Sequence, residues 1–135
     1  APAPLNVPGM WWAWKGGYKF VRLDLQTTGN AAYYFHLGST TCDGSVKKGF
    51  SCAYNNVPEI EIGGFDPASG AVAFDIARLY ESSDLDAHID FKTDFVTGCM
   101  AFAGDPECPA VFEKLGMKFE SNDAPATKQT IFRTE

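Results

Sequence analysis

Apolar and polar residues alternate most sharply from Tyr18 to Gln26. Val21, Leu23 and Leu25 take one side of the pattern, and Tyr18, Phe20, Arg22 and Asp24 take the other. A period of two over this length predicts a half-buried strand. Thr27-Thr28-Gly29-Asn30 has the composition of a turn. Ala32 to Leu37 follows as a second strand, so the two predict a hairpin. Glu59-Ile60-Glu61-Ile62 predicts a short third strand, ended by Gly63-Gly64. Asp66-Pro67-Ala68-Ser69-Gly70 reads as a turn, and Ala71 to Ile76 as a fourth strand with Val72, Phe74 and Ile76 inward. Asp75 to Ser82 is compatible with a short helix. Ala110 to Leu115 predicts another, stopped by Gly116, with Val111, Phe112 and Leu115 as its apolar side. Met117 to Glu120 and Thr130 to Arg133 predict closing strands. Many short strands and few helices give the expected fold class: mostly β, an antiparallel β-sandwich or open barrel with one or two short helices.

Two stretches break the simple pattern. All three tryptophans fall in Met10-Trp11-Trp12-Ala13-Trp14, just ahead of Gly16-Gly17 and the first strand. On a helix Trp11 and Trp14 share a side; on a strand Trp12 and Trp14 do. At least one indole therefore lies away from the plain interior, either as a core anchor's neighbour at the rim or as the wall of a site. The other stretch is Asp84 to Phe91. Asp84, Asp86, His88 and Asp90 face one way, and Leu85, Ala87, Ile89 and Phe91 the other. A solvated acidic strand face is the favoured reading. A calcium or other cation site is the alternative, although the glycine and terminal glutamate of an EF-hand loop are absent.

At 135 residues the chain is read as one β-rich domain, residues 1–135, with a linker-like, proline-rich start over residues 1–9. A 45% apolar and 21% charged composition fits a packed chain. The net charge is −6 with scattered Lys and Arg, so the basic footprint of a nucleic-acid binder is missing. No apolar run reaches the length of a membrane span, and no signal-peptide pattern opens the chain.

Four cysteines form two local pairs. Cys42 and Cys52 enclose nine residues and Cys99 and Cys108 enclose eight, wider than the usual spacing of a four-cysteine zinc site. Each enclosed segment is polar and turn-forming, so local disulfides Cys42–Cys52 and Cys99–Cys108 are predicted out of three formal pairings. Each would stabilise by about 2.5–3 kcal/mol in the chain-entropy model. Two such bonds imply an oxidising compartment: periplasm, outer cell surface or secretion.

Enzymatic motifs are lacking. Gly49-Phe50-Ser51-Cys52-Ala53 fails the nucleophile-elbow pattern at its last position. There is no phosphate loop or dinucleotide fingerprint. With every cysteine bridged, neither a thiol nucleophile nor a blue-copper thiolate remains. The chain is accordingly read as a non-enzyme. His36, in Tyr33-Tyr34-Phe35-His36-Leu37-Gly38-Ser39-Thr40, is either a hydrogen-bonded core residue or a metal ligand, and imidazole suits copper.

Several segments carry a resemblance in a fixed order. They are Trp12-Ala13-Trp14-Lys15-Gly16-Gly17-Tyr18-Lys19-Phe20, then Phe35-His36-Leu37-Gly38-Ser39-Thr40 with Cys42 and Cys52. Gly64-Phe65-Asp66-Pro67, Gly98-Cys99-Met100 and Asp105-Pro106-Glu107-Cys108-Pro109 follow. The order resembles the methanotroph copper-binding MopE/CorA/MbnP-like family, the "metallo-mystery pair four-Cys motif" proteins, over about residues 5 to 120. The resemblance implies an exported protein that holds one copper ion, mostly as Cu(I), for copper acquisition or homeostasis. The family site uses two histidines and a kynurenine made from tryptophan by a di-haem, cytochrome c peroxidase-like partner. His36 matches one of those histidines. Trp12 and Trp14 are the tryptophans of the family-like block, and the motif does not choose between them. The other histidine lies in a further N-terminal portion, so this chain reads as the C-terminal part of a longer protein. The alternative is a surface module that uses exposed tryptophans to recognise glycan or protein.

Overall fold

The computed structural model describes residues 7–12, 17–29, 32–45, 47–86, 97–123 and 127–135. Strand β1 (Lys19–Leu25) pairs antiparallel with β2 (Tyr33–Gly38). Strand β3 (Thr40–Ser45) pairs with β4 (Gly49–Tyr54) as a second hairpin. Strand β5 (Val72–Phe74) leads into helix α1 (Ile76–Leu79). Strand β6 (Gly98–Cys99), helix α2 (Cys108–Lys114) and strand β7 (Phe132–Thr134) complete the chain. β2 is the middle of a three-stranded sheet, and β5 pairs with β7. The fold is mostly β with two short helices and two disulfides, and the described residues form no closed barrel. One pairing, β2 with β6, is parallel rather than antiparallel.

The hairpin separates core from surface by parity. Tyr33, Phe35 and Leu37 of β2 are buried, and Val21, Leu23 and Leu25 of β1 pack against the same cluster. Leu79, Val111, Phe112, Leu115 and Ile131 close it from the other side. The pairing slips between Lys19 and Val21, a bulge at Phe20. Strict alternation would put Phe20 with Arg22 and Asp24. The bulge instead lets Phe20 line an apolar hollow with Val21, Leu23 and Leu37, and it swings Lys19 opposite Gly38.

Local chemistry explains the helices. The Asp75 carboxylate accepts the Arg78 N–H at 2.9 Å and so caps α1. Its other oxygen accepts from Arg133 at 2.6 Å, which ties the cap to β7. α2 ends in a Schellman motif: Gly116 N–H reaches the Glu113 carbonyl at 2.9 Å, and Met117 N–H reaches that of Phe112 at 2.8 Å. Gly116 sits at φ 73°, where a Cβ is strained.

Several expectations are corrected. Cys42 to Cys52 is a paired hairpin rather than a plain loop, with the two cysteines directly opposite each other. Glu59 to Ile62 forms no strand; it pairs with none of the described residues and follows Pro58, which has no N–H to donate. Met117 to Glu120 is also not a strand, because the helix stop at Gly116 and a positive φ at Glu120 turn the chain. Val72 and Ile76 are 46% and 42% exposed, so only Phe74 turns inward. The chain bends into α1 before the alternation can continue. Asp84 to Asp86 is irregular, and the rest of that acidic stretch, with His88 and Asp90, lies outside the described residues.

The two disulfides close loops of nearly equal length, with sequence separations of 10 and 9. Cys99 and Cys108 are wholly buried, whereas Cys42 and Cys52 are half-buried. We expect a Cys42→Ala/Cys52→Ala variant to lose about 3 kcal/mol of stability. Cys99→Ala/Cys108→Ala should lose roughly 1 kcal/mol or more beyond that, because it also removes core contacts. Urea unfolding of both variants checks this; equal losses would contradict the packing assignment.

Candidate functional site

The face of the hairpin turned away from the core carries the chemistry. β2 contributes Tyr34, His36 and Gly38; β1 contributes Arg22, Asp24 and, through the bulge, Lys19. His36 is 8% exposed. Its Nε2 lies 3.0 Å from Asp24 Oδ1. Its Nδ1 is buried with no hydrogen-bond partner among the described residues. Tyr34 meets the imidazole edge-on, with ring centroids 5.8 Å apart.

Charge state follows from these contacts. The Arg22 guanidinium, hydrogen-bonded to both Asp24 oxygens, is the largest influence holding that carboxyl down to about 2; His36 adds to it. Burial pushes the His36 imidazole below its ordinary value, against the opposing pull of Asp24. The ring is therefore neutral at pH 7. An ionised carboxylate can only accept, so the single ring proton sits on Nε2 and is donated to Asp24. Nδ1 is left with a lone pair inside the protein. A metal-binding histidine is commonly held in this way, one nitrogen tethered to a carboxylate and the other free to donate.

The aromatic arm lies beside it. Pro8–Met10 is a single 3-10 turn, after which Trp11 bridges back to Tyr18. Arg22 Nη1 donates to the Gly9 carbonyl at 3.0 Å and pins the arm down. Trp11 packs edge-on against Tyr18 at 5.1 Å. Trp12 takes a different seat, 5.2 Å from the Phe102 ring and over Gly38. A Cβ at Gly38 would come within 2.8 Å of the Trp12 ring and would also strike the Tyr18 carbonyl. Only glycine leaves room there. Trp12 Nε1 is buried without a partner among the described residues. As an indole it is a donor and offers no lone pair to a metal. The structure thus brings His36 and Trp12 to one face; Trp14 lies outside the described residues.

Sequence reasoning missed Asp24 and Lys19 as neighbours of His36. The hairpin register would have found Asp24; the bulge hides Lys19. It also missed Asn56, whose buried amide donates to the Gly38 carbonyl at 2.9 Å and to Thr40 Oγ1 at 3.2 Å. Thr40 Oγ1 in turn donates a hydrogen bond to the Ala101 carbonyl at 2.9 Å, so this network anchors the end of β2.

Elsewhere among the described residues, Cys99, Asp105 and Cys108 cluster closely enough to suggest a metal seat. The two sulfurs are bonded to each other. The Asp105 oxygens accept the Met100 and Glu107 N–H groups at 2.8 and 3.0 Å. This is a capped, bridged loop with no thiolate to offer. Asp84 and Asp86 are likewise engaged, with Asp86 accepting from Thr27 and Asp84 accepting the Asp86 N–H at 3.1 Å.

These features define a class: a disulfide-bridged β domain presenting one carboxylate-tethered imidazole beside an aromatic arm. The chain belongs to the MbnP family, whose model matches residues 1–101. It is similar to the solved structure of MbnP from Methylosinus trichosporium, at 27% identity and a TM-score of 0.78. That match covers 99% of this chain and 52% of the other, so the chain spans about half the length of this relative. No curated protein matches the chain.

Two predictions follow from the geometry. Gly38→Ala should displace Trp12 and cost roughly 1–3 kcal/mol by overpacking, seen as changed tryptophan fluorescence and a lower urea midpoint. Acid should act in two windows. His36, with its folded pKa below the unfolded 6.5, makes stability fall as pH drops below 6.5. Asp24 adds stability present above 3.8 that is lost as pH falls toward about 2. Asp24→Asn should abolish its share of the lower loss in a stability-versus-pH titration; an unchanged acid limb would contradict the assignment.

Proposed function

We propose that this protein is an exported copper-binding protein for copper acquisition or homeostasis, with His36 Nδ1 as one donor to Cu(I). The observation that carries the reading is that buried, unpartnered nitrogen, with Nε2 tethered to Asp24. Membership of the MbnP family and the order of motifs along the chain support it. Copper is the cargo, and no turnover is involved. A neutral imidazole among aromatic side chains suits Cu(I), because an apolar shell disfavours the more hydrated Cu(II).

One imidazole is an incomplete donor set. The second histidine would come from a further portion of a longer chain. A third ligand would be a kynurenine derived from Trp12 or Trp14 by a di-haem, cytochrome c peroxidase-like enzyme. The modification converts an indole without a usable lone pair into a ring carrying an aniline nitrogen and a ketone. Trp12 already stands on the His36 face. Export is supported by the two disulfides. No helix among the described residues is long and apolar enough to cross a membrane.

A second reading rests on a different feature. Trp11, Tyr18, Phe20 and Phe50 surround the Cys42–Cys52 disulfide and form an apolar hollow of about 220 Å³. Its scarcity of polar groups suits an apolar protein side chain better than a sugar. Copper-independent binding at this hollow would favour recognition over metal capture.

In protein from the native host, we expect bound copper and a kynurenine in the peptide that contains Trp12 and Trp14. His36→Ala should lose tight copper, and Asp24→Asn should weaken it by about 10–100-fold. Metal analysis and chelator competition read both. Copper retained at full affinity by His36→Ala would remove His36 from the site.

A further inference from the structure

Lysine is almost never buried without a partner. Lys19 is 5% exposed, and none of the carboxylates among the described residues lies within ion-pair distance of it. Its Nζ stands 5.9 Å from the centre of the Trp12 ring, at the outer limit of a cation–π contact. It was placed there by the bulge, which pairs Lys19 with Gly38 and turns it to the side of the sheet that carries His36. Gly38 is two residues from His36, so the two side chains stand one pleat apart, roughly 7 Å along the strand.

The charges on this face do not cancel. Arg22 and Asp24 form a close ion pair and neutralise each other. Burial keeps the His36 imidazole neutral at pH 7. Among the described residues the Lys19 ammonium is left as the uncompensated charge on the side of the open imidazole nitrogen.

We propose that Lys19 sets the charge selectivity of the His36 site, admitting a monovalent soft cation and rejecting divalent ones. The inference rests on the copper reading above and goes beyond it. A fixed positive charge opposes any bound cation, but it opposes a divalent ion twice as strongly. Imidazole alone does not discriminate in this way; it binds Cu(II), Ni(II) and Zn(II) readily. A face intended for Cu(I) in a compartment where divalent ions are common gains from a repulsive element as well as an attractive one. Burying the amine costs stability that an exposed lysine would not, and selectivity is the return the geometry points to.

The test compares Lys19→Met, Lys19→Gln and Lys19→Arg with the unaltered protein, all expressed in the native host. Affinities for Cu(I), under reducing anaerobic conditions, and for Cu(II) and Zn(II) are measured by chelator competition. The neutral variants should lower the ratio of monovalent to divalent affinity on the order of tenfold. Lys19→Arg, which keeps the charge, should hold the ratio near the original. A purely structural role would move all affinities together and leave the ratio alone. An unchanged ratio in a folded neutral variant that still binds copper overturns the assignment of Lys19 only. Absence of copper binding in the unaltered protein overturns both this inference and the copper reading.

Discussion

The pairing of β1 with β2 is the constraint from which the rest follows. It comprises six cross-strand pairs with one slip. Five of them would follow from simple alternation. They send Val21, Leu23, Leu25, Tyr33, Phe35 and Leu37 inward and leave Arg22, Asp24, Tyr34 and His36 on the opposite side. Because side chains alternate strictly, a shift of one residue would bury the ion pair and expose the core. Core burial thus dictates where the imidazole stands, and the site needs no separate device to place it. The bulge adds the one departure, moving Phe20 to the apolar hollow and Lys19 to the polar face.

Buried polar groups show how unusual that face is. Asn56 and Thr40 are buried and bonded, and Asp105 has both oxygens occupied. A buried polar atom without a partner costs roughly 1–3 kcal/mol, so folded proteins rarely leave one. Here His36 Nδ1 and Trp12 Nε1 both lack one among the described residues, and they belong to side chains on the same face. Lys19, with no carboxylate of the described residues in ion-pair reach, is paired with Gly38 on that face. Tyr80 Oη and Ser83 Oγ are also buried without a partner among the described residues, but they follow α1, off the face that carries His36; two such groups on one sheet face are what a binding site leaves when read without its ligand.

Much of this was legible in the chain. Period-two alternation found β1, and the turn residues after it found the hairpin. Polar, glycine-bearing segments between the cysteines identified both loops that are bridged. Gly116 as a stop ended the second helix through local chemistry that needs no tertiary information, whereas the Asp75 cap of the first emerged only from the structure. Failures came where tertiary context decides. Glu59 to Ile62 alternates like a strand but finds no partner strand among the described residues. Gly98 joins β2 in parallel through a backbone approach so close that a Cβ would strike the Tyr34 carbonyl, and nothing in its sequence neighbourhood announces that. His36 could be singled out from its aromatic strand, but its tautomer could not, because Asp24 lies twelve positions away and becomes its neighbour only through the register.

The chemistry of this face depends on a neutral His36, with its proton on Nε2 and its Nδ1 lone pair free. Long-range proton–nitrogen NMR of the metal-free protein at pH 7 observes this directly. An Nε2–H tautomer is expected, whose Nδ1 resonance has the downfield position of an unprotonated nitrogen and shifts on addition of Cu(I). A charged imidazolium, or an Nδ1–H tautomer that ignores added Cu(I), would contradict it.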